Sequence, residues 1–81
     1  MNADDVKQAI AVHAENAKWL DAESAFLLGV SVMTEMQLRD SHENMEPGPQ
    51  RDEVRAEMDK VRAIIATMVE ASRMIRAMGI R

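Results

Sequence analysis

The chain has 81 residues, of which 47% are apolar and 30% charged, with a net charge of −4 and no cysteine. That length holds one small domain at most, the composition is globular and not disordered, and the absence of thiols excludes disulfides and thiolate metal sites. The acidic balance disfavours generic nucleic-acid binding, because phosphate contacts need a surplus of Lys and Arg.

The first element is a helix over about residues 3–20. Asn2 is placed to cap it, and Asp4 and Asp5 follow in the electropositive first turn. Val6, Ala9, Ile10, His13, Ala17 and Leu20 fall on one stripe. The opening "MNADDVKQAI" carries acids where a signal peptide would carry Lys or Arg, so the expected location is cytoplasmic. No Gly or Pro marks the end of this helix. Phase gives the best indication: at 100° per residue, the stripe through His13 lies nearly opposite the one through Ala22, Phe26, Gly29 and Met33. A break with Asp21 capping a second helix is the preferred reading. One long helix that changes partners halfway is the alternative.

The second helix, over about residues 22–45, contains "SAFLLGVSVMTEM", which is apolar on almost every side. Phe26, Gly29, Met33 and Met36 form one face, and Leu27, Val30 and Leu38 another more than about 100° round. A surface helix needs a single apolar stripe, so this one is expected to be sandwiched, with a second copy of the chain covering whatever the other helices leave open. Its longest apolar run, Ala25 to Val30, is far short of the roughly 20 residues that span a bilayer, so no membrane association is expected.

"EPGPQ", residues 46–50, is the one strong breaker. The Pro47-Gly48-Pro49 turn should end the second helix and begin a third, over about residues 50–78, folded back antiparallel. On that last helix Val54, Met58, Val61, Ile65, Met68, Ser72 and Ile75 repeat at four, three, four, three, four and three. This is a heptad seam with one polar position. Gly79 supplies the stop, with Arg73 and Arg76 in the last turns. Residues 22–46 hold five acids and one Arg, whereas residues 47–81 hold five acids and seven bases. Such blocks neutralise one another when the two helices pack side by side.

Candidate chemistry is sparse. His13 sits mid-stripe and reads as a half-buried imidazole. His42, between Asp40 and Glu43, reads as a solvated helix end, with no metal-ligand spacing. There is no Cys or Tyr, no phosphate-binding Gly loop and no Gly-x-Ser-x-Gly elbow. The paired carboxylates lie in first helical turns, where the dipole accounts for them. The chain is therefore expected to be no enzyme and to carry no metal or cofactor. Arg51, Arg55, Arg62, Arg73 and Arg76 fall within about 60° on the last helix. Asp52, Asp59 and Glu70 stand three residues before Arg55, Arg62 and Arg73, where local ion pairs form. Arginine heads can also meet Glu35, Glu43 or Glu46 across the hairpin. Arg73, Arg76 and Arg81 make a basic C-terminal patch. Eight methionines fill irregular cores or make adaptable surfaces.

The segment "PGPQRDEVRAEMDKVRAIIA" resembles the Pro-rich turn and final helix of small phage proteins that sequester cyclic oligonucleotide signals. It covers about a quarter of the chain in common helix residues. The aromatic, His-rich N-terminal stretch of that family is missing here, so none of its ligand residues is carried over.

The expected architecture is an all-α antiparallel bundle of two or three helices in a single domain, completed by homodimerisation. The expected function is a non-catalytic protein-binding module, an inhibitor or adaptor of phage or mobile-element type that occupies a surface of a larger protein. Its interaction residues would be Leu27, Val30, Met33, Met36, Leu38, Met74, Arg76, Met78 and Arg81. The alternative is an oligomeric small-ligand or nucleotide binder using interface arginines, and a DNA-binding regulator ranks third.

Overall fold

Residues 2–79 are described by a computed structural model in which the chain is all-helical. The first helix, α1 (Ala3–Val12), starts where its cap requires: the Asn2 side-chain oxygen accepts from the Asp5 amide at 2.9 Å. A one-turn segment, α2 (Ala14–Ala17), follows. The third, α3 (Ala22–Glu43), is capped by Asp21, whose carboxylate accepts from the Ser24 amide at 2.7 Å. The last, α4 (Pro49–Ala77), places Pro49 in its first turn, where a missing N–H costs nothing.

The phase argument therefore holds at Asp21, where the chain turns. The expected continuous first helix does not form. It divides at His13, whose backbone (φ −121°, ψ 33°) leaves the helical region. The His13 amide bonds back to the Ile10 carbonyl, and its own carbonyl accepts from Ala17 at 2.8 Å. The break lets one short segment serve two partners. Upstream of it α1 packs on α3, and downstream of it α2 reaches α4. Four helical segments result where two or three were expected.

Gly29 explains how α1 comes so close to α3. A Cβ at this position would lie 2.5 Å from Ile10 Cγ1 and 2.9 Å from the Val6 carbonyl oxygen. The glycine inside an otherwise apolar run is thus a packing requirement, and α1 seats its backbone against it.

α3 and α4 form an antiparallel hairpin. Near the turn Arg51 Nε donates to the His42 carbonyl at 3.1 Å, and farther away Arg62 meets Glu35. The His42 carbonyl also accepts from the Met45 amide at 3.3 Å, so the arginine adds a second bond at the end of α3. Asn44 takes the C-cap position, and its side-chain amide donates to the Asp40 carbonyl at 2.8 Å. Gly48 then adopts φ 154°, ψ −175°, a conformation almost exclusive to glycine, and α4 begins at the next residue.

The Cα trace measures 47 × 25 × 16 Å. α3 packs against both α1 and α4, and those two helices keep an outer side exposed. The interior is correspondingly small: Val6, Ala9, Ala17, Leu28, Val32 and Met58 are the buried apolar side chains among the described residues. The heptad seam of α4 points inward, with Met58 and Ser72 buried and the other five positions half-buried. The polar seam position has a use: Ser72 is fully buried and its hydroxyl donates to the Asn16 carbonyl. That bond fastens α2 to α4.

Candidate functional site

Where α1 and α4 diverge above α3, an open groove of about 550 Å³ remains. Val32, Ile65 and Val69 form its floor, and Val12 and Met36 one wall. Its polar lining residues are His13, Glu35, Arg39 and Arg62. Glu35 joins the two arginines. Its side chain is only 12% exposed, and its Oε1 accepts from Arg62 Nε at 3.2 Å and from Nη2 at 3.1 Å. Arg39 Nη1 lies 3.9 Å from the other oxygen. Two guanidiniums therefore share one carboxylate, which leaves one net positive charge beside an apolar trough. A smaller depression that shares Val12 and Met36 adds Asp5, Gln8 and Met33. Val12 is 64% exposed on the ridge between the two.

A second apolar surface lies on the outer face of α4. Ile64, Met74 and Met78 are exposed there, and Leu27 of α3 borders it beside Ala63, Ile64 and Thr67. The expected interaction residues are thus divided between surfaces. Leu27, Met74 and Met78 belong to the α4 side, and Met33 and Met36 to the α1 side. Leu38 is half-buried near the turn, against Val54 and Ala56. Val30 is half-buried, and its carbonyl accepts the Thr34 hydroxyl at 2.8 Å. Arg81 lies outside the described residues.

Arg76, expected in the basic C-terminal patch, meets α2 and the residues after it. It lies 3.8 Å from Glu15 and stacks over the Trp19 ring at 5.7 Å, with Lys18 5.0 Å from the same ring. The turn at Asp21 brings α2 beside α4, and no spacing within α4 signals that proximity. Glu15 is held below the usual glutamate range, first by its hydrogen bond with Lys18 and less by Arg76. The Trp19 indole nitrogen is buried without a partner. The expected local pairs of Arg55, Arg62 and Arg73 do not form among the described residues. Lys60 pairs instead with Glu57 at 3.1 Å, and Arg62 takes the cross-hairpin partner Glu35.

Sequence reasoning missed Val12 and Ile64, which are among the exposed large apolar side chains. Both lie off the stripes that define the core, and that was the available signal. Among the described residues no group of three or more His, Asp or Glu side chains is placed to hold a metal ion. No helix in that range is long and apolar enough to cross a membrane. No family model matches the chain, and no curated protein or solved structure shows significant similarity to it.

Proposed function

We propose that the chain is a non-catalytic protein-binding module, an inhibitor or adaptor, that acts in the cytoplasm as a homodimer by occupying a surface of a larger protein. The observation that carries this reading is the open groove: an apolar trough built from three helices, with the Glu35–Arg39–Arg62 cluster in its lining. An apolar helix face fits such a trough, and the charged cluster gives it a polar anchor. Nothing in the groove pairs a nucleophile with a base; its only titratable groups are His13 and the Glu35–Arg39–Arg62 cluster.

Arg39 and Arg62 in the groove favour one second reading, a binder of small anionic ligands. Glu35 already takes up half of their charge, which ranks that reading lower. Affinity capture compared across variants separates the two. Val12→Glu and Met36→Glu change exposed side chains, so folding is retained, and both should lose a protein partner that Lys60→Gln, an exposed change outside the groove, keeps. Loss on Arg39→Glu alone, with the two groove-wall variants unaffected, would favour the anionic ligand. Retention by all of them would remove the groove as the site.

A further inference from the structure

We infer that a second copy of this chain covers the outer face of α4 from Ile64 to Met78, the two α4 helices pairing antiparallel about Ala71. This rests on the reading that the protein acts as a dimer, and it assigns the surface.

α4 carries two apolar stripes. The inner seam packs on α3. The outer stripe, Ile64, Thr67, Ala71, Met74 and Met78, is spaced three, four, three and four, about 110° round the helix from the first. Ile64 is 47%, Met74 57% and Met78 63% exposed. The one hydroxyl in the stripe is turned inward: Thr67 Oγ1 donates to the Ala63 carbonyl at 2.9 Å, leaving its methyl group outermost. The stripe therefore presents no hydrogen-bonding group that a partner must satisfy.

The same face changes character along its length. In the first half of α4 it carries Glu53, Glu57 and Lys60, all exposed, with Glu57 and Lys60 paired. Beyond Lys60 the stripe itself carries no charge as far as Met78, and exposed Glu70 borders it beside Thr67, Ala71 and Met74. A helix wholly in water has no reason to change in this way. The boundary marks where cover begins.

Three observations make the cover a second copy. First, the stripe is complementary to its own reversal. Turning it about Ala71 sets Ile64 opposite Met78, with the small alanines meeting where the backbones are closest. A two-fold contact of this kind needs only the one surface. Second, the size is adequate. Fifteen helical residues span about 22 Å, and half a cylinder of that length and about 10 Å diameter presents on the order of 400 Å². Leu27 and Ala63 widen it towards the roughly 600 Å² per protomer at the lower end of stable interfaces. Third, the chain lacks internal stabilisation: two of its six buried apolar residues are alanines, and it has no cysteine. At this size such a core needs a further staple, and a second copy supplies it. The groove is lined by other α4 side chains, Arg62, Ile65 and Val69, so pairing leaves it open.

Sedimentation equilibrium of the full chain, with variants, tests the assignment. The wild type should show twice the 9.1 kDa chain mass. Each copy carries −4, so added salt should tighten the dimer, the reverse of an attraction between charges. Ile64→Lys and Met74→Glu should weaken association on the order of 30-fold or more, with helical circular dichroism retained, whereas Val12→Glu should leave it unchanged. Ala71→Cys should cross-link into a covalent dimer on mild oxidation, and Glu53→Cys should not. The cross-link decides the matter if either charged variant fails to fold. A wild-type monomer would overturn the dimer and this assignment together. A dimer indifferent to both charged variants, and not cross-linked through Ala71→Cys, would overturn the assignment alone.

Discussion

Gly29 shows how one position sets the distance between two helices. By propensity alone, Ala in the interior of α3 would gain up to about 1 kcal/mol over Gly. The added Cβ would meet Ile10 Cγ1 at 2.5 Å and the Val6 carbonyl oxygen at 2.9 Å. The isoleucine end can rotate away, but the carbonyl belongs to the backbone of α1 and moves only if the helix does. Overpacking of this kind costs about 1–3 kcal/mol, so it outweighs the propensity gain. Gly29→Ala should lower the unfolding free energy by about 1–2 kcal/mol in a urea titration. A variant more stable than the wild type would show that α1 is not seated there. Ser72 tests the other attachment. It is fully buried and bonds the Asn16 carbonyl, which also accepts from the Trp19 amide at 3.2 Å, so Ser72→Ala removes the bond between α2 and α4. The expected loss is about 0.5–1.5 kcal/mol on the same titration, the net value of one hydrogen bond, and a neutral result would mean that this bond does not hold α2 in place.

Elements whose signals are local were the ones legible in the sequence. Asn2 and Asp21 cap their helices through bonds to amides three residues on, and both caps can be read from neighbouring residues. The Pro47-Gly48-Pro49 turn and the heptad seam are equally local. The division at His13 is not, because it arises from the competing demands of α3 and α4 on one short segment. The groove was illegible for the same reason: its walls come from helices far apart in sequence, and its volume depends on how they diverge. Glu35 was visible as one of three possible partners for the arginines, and only the hairpin register selects it. The Asp21 cap carries a pH prediction. Its carboxylate is held below the usual aspartate range, first by the Ser24 amide and then by the Ser24 hydroxyl. A depressed folded-state pKa means that the charged cap contributes above the unfolded-state value and stops contributing as pH falls through the folded one. Asp21→Asn keeps an uncharged capping oxygen. The wild type should therefore melt higher than this variant near neutrality, and the difference should vanish in acid below the normal aspartate range. A difference independent of pH would remove the charge from the account.

At the scale of the whole molecule, the first twenty residues decide whether there is a core at all. α3 and α4 have a seam, an ion pair between Arg62 and Glu35, and opposite net charge, which is enough to set their register. Yet Val6, Ala9 and Ala17, half of the six buried apolar side chains, come from α1 and α2. Leu28 and Val32 of α3 pack in one cluster with Ala9 and Ala17 and would be uncovered without them. Full burial of a Val or Leu side chain is worth about 1.5–3 kcal/mol, so removing this segment forfeits on the order of 5 kcal/mol. Domains are stable by only about 5–15 kcal/mol, and one this small sits at the low end. Deleting residues 2–20 should therefore abolish cooperative unfolding, even though long helix-favouring segments keep part of their far-ultraviolet dichroism. The comparison must be made at one protein concentration, since self-association raises the melting temperature by mass action. A truncated hairpin that still melts in a sharp, cooperative transition would place the stabilising contacts in the α3–α4 seam or between copies, and would reduce α1 and α2 to a wall of the groove.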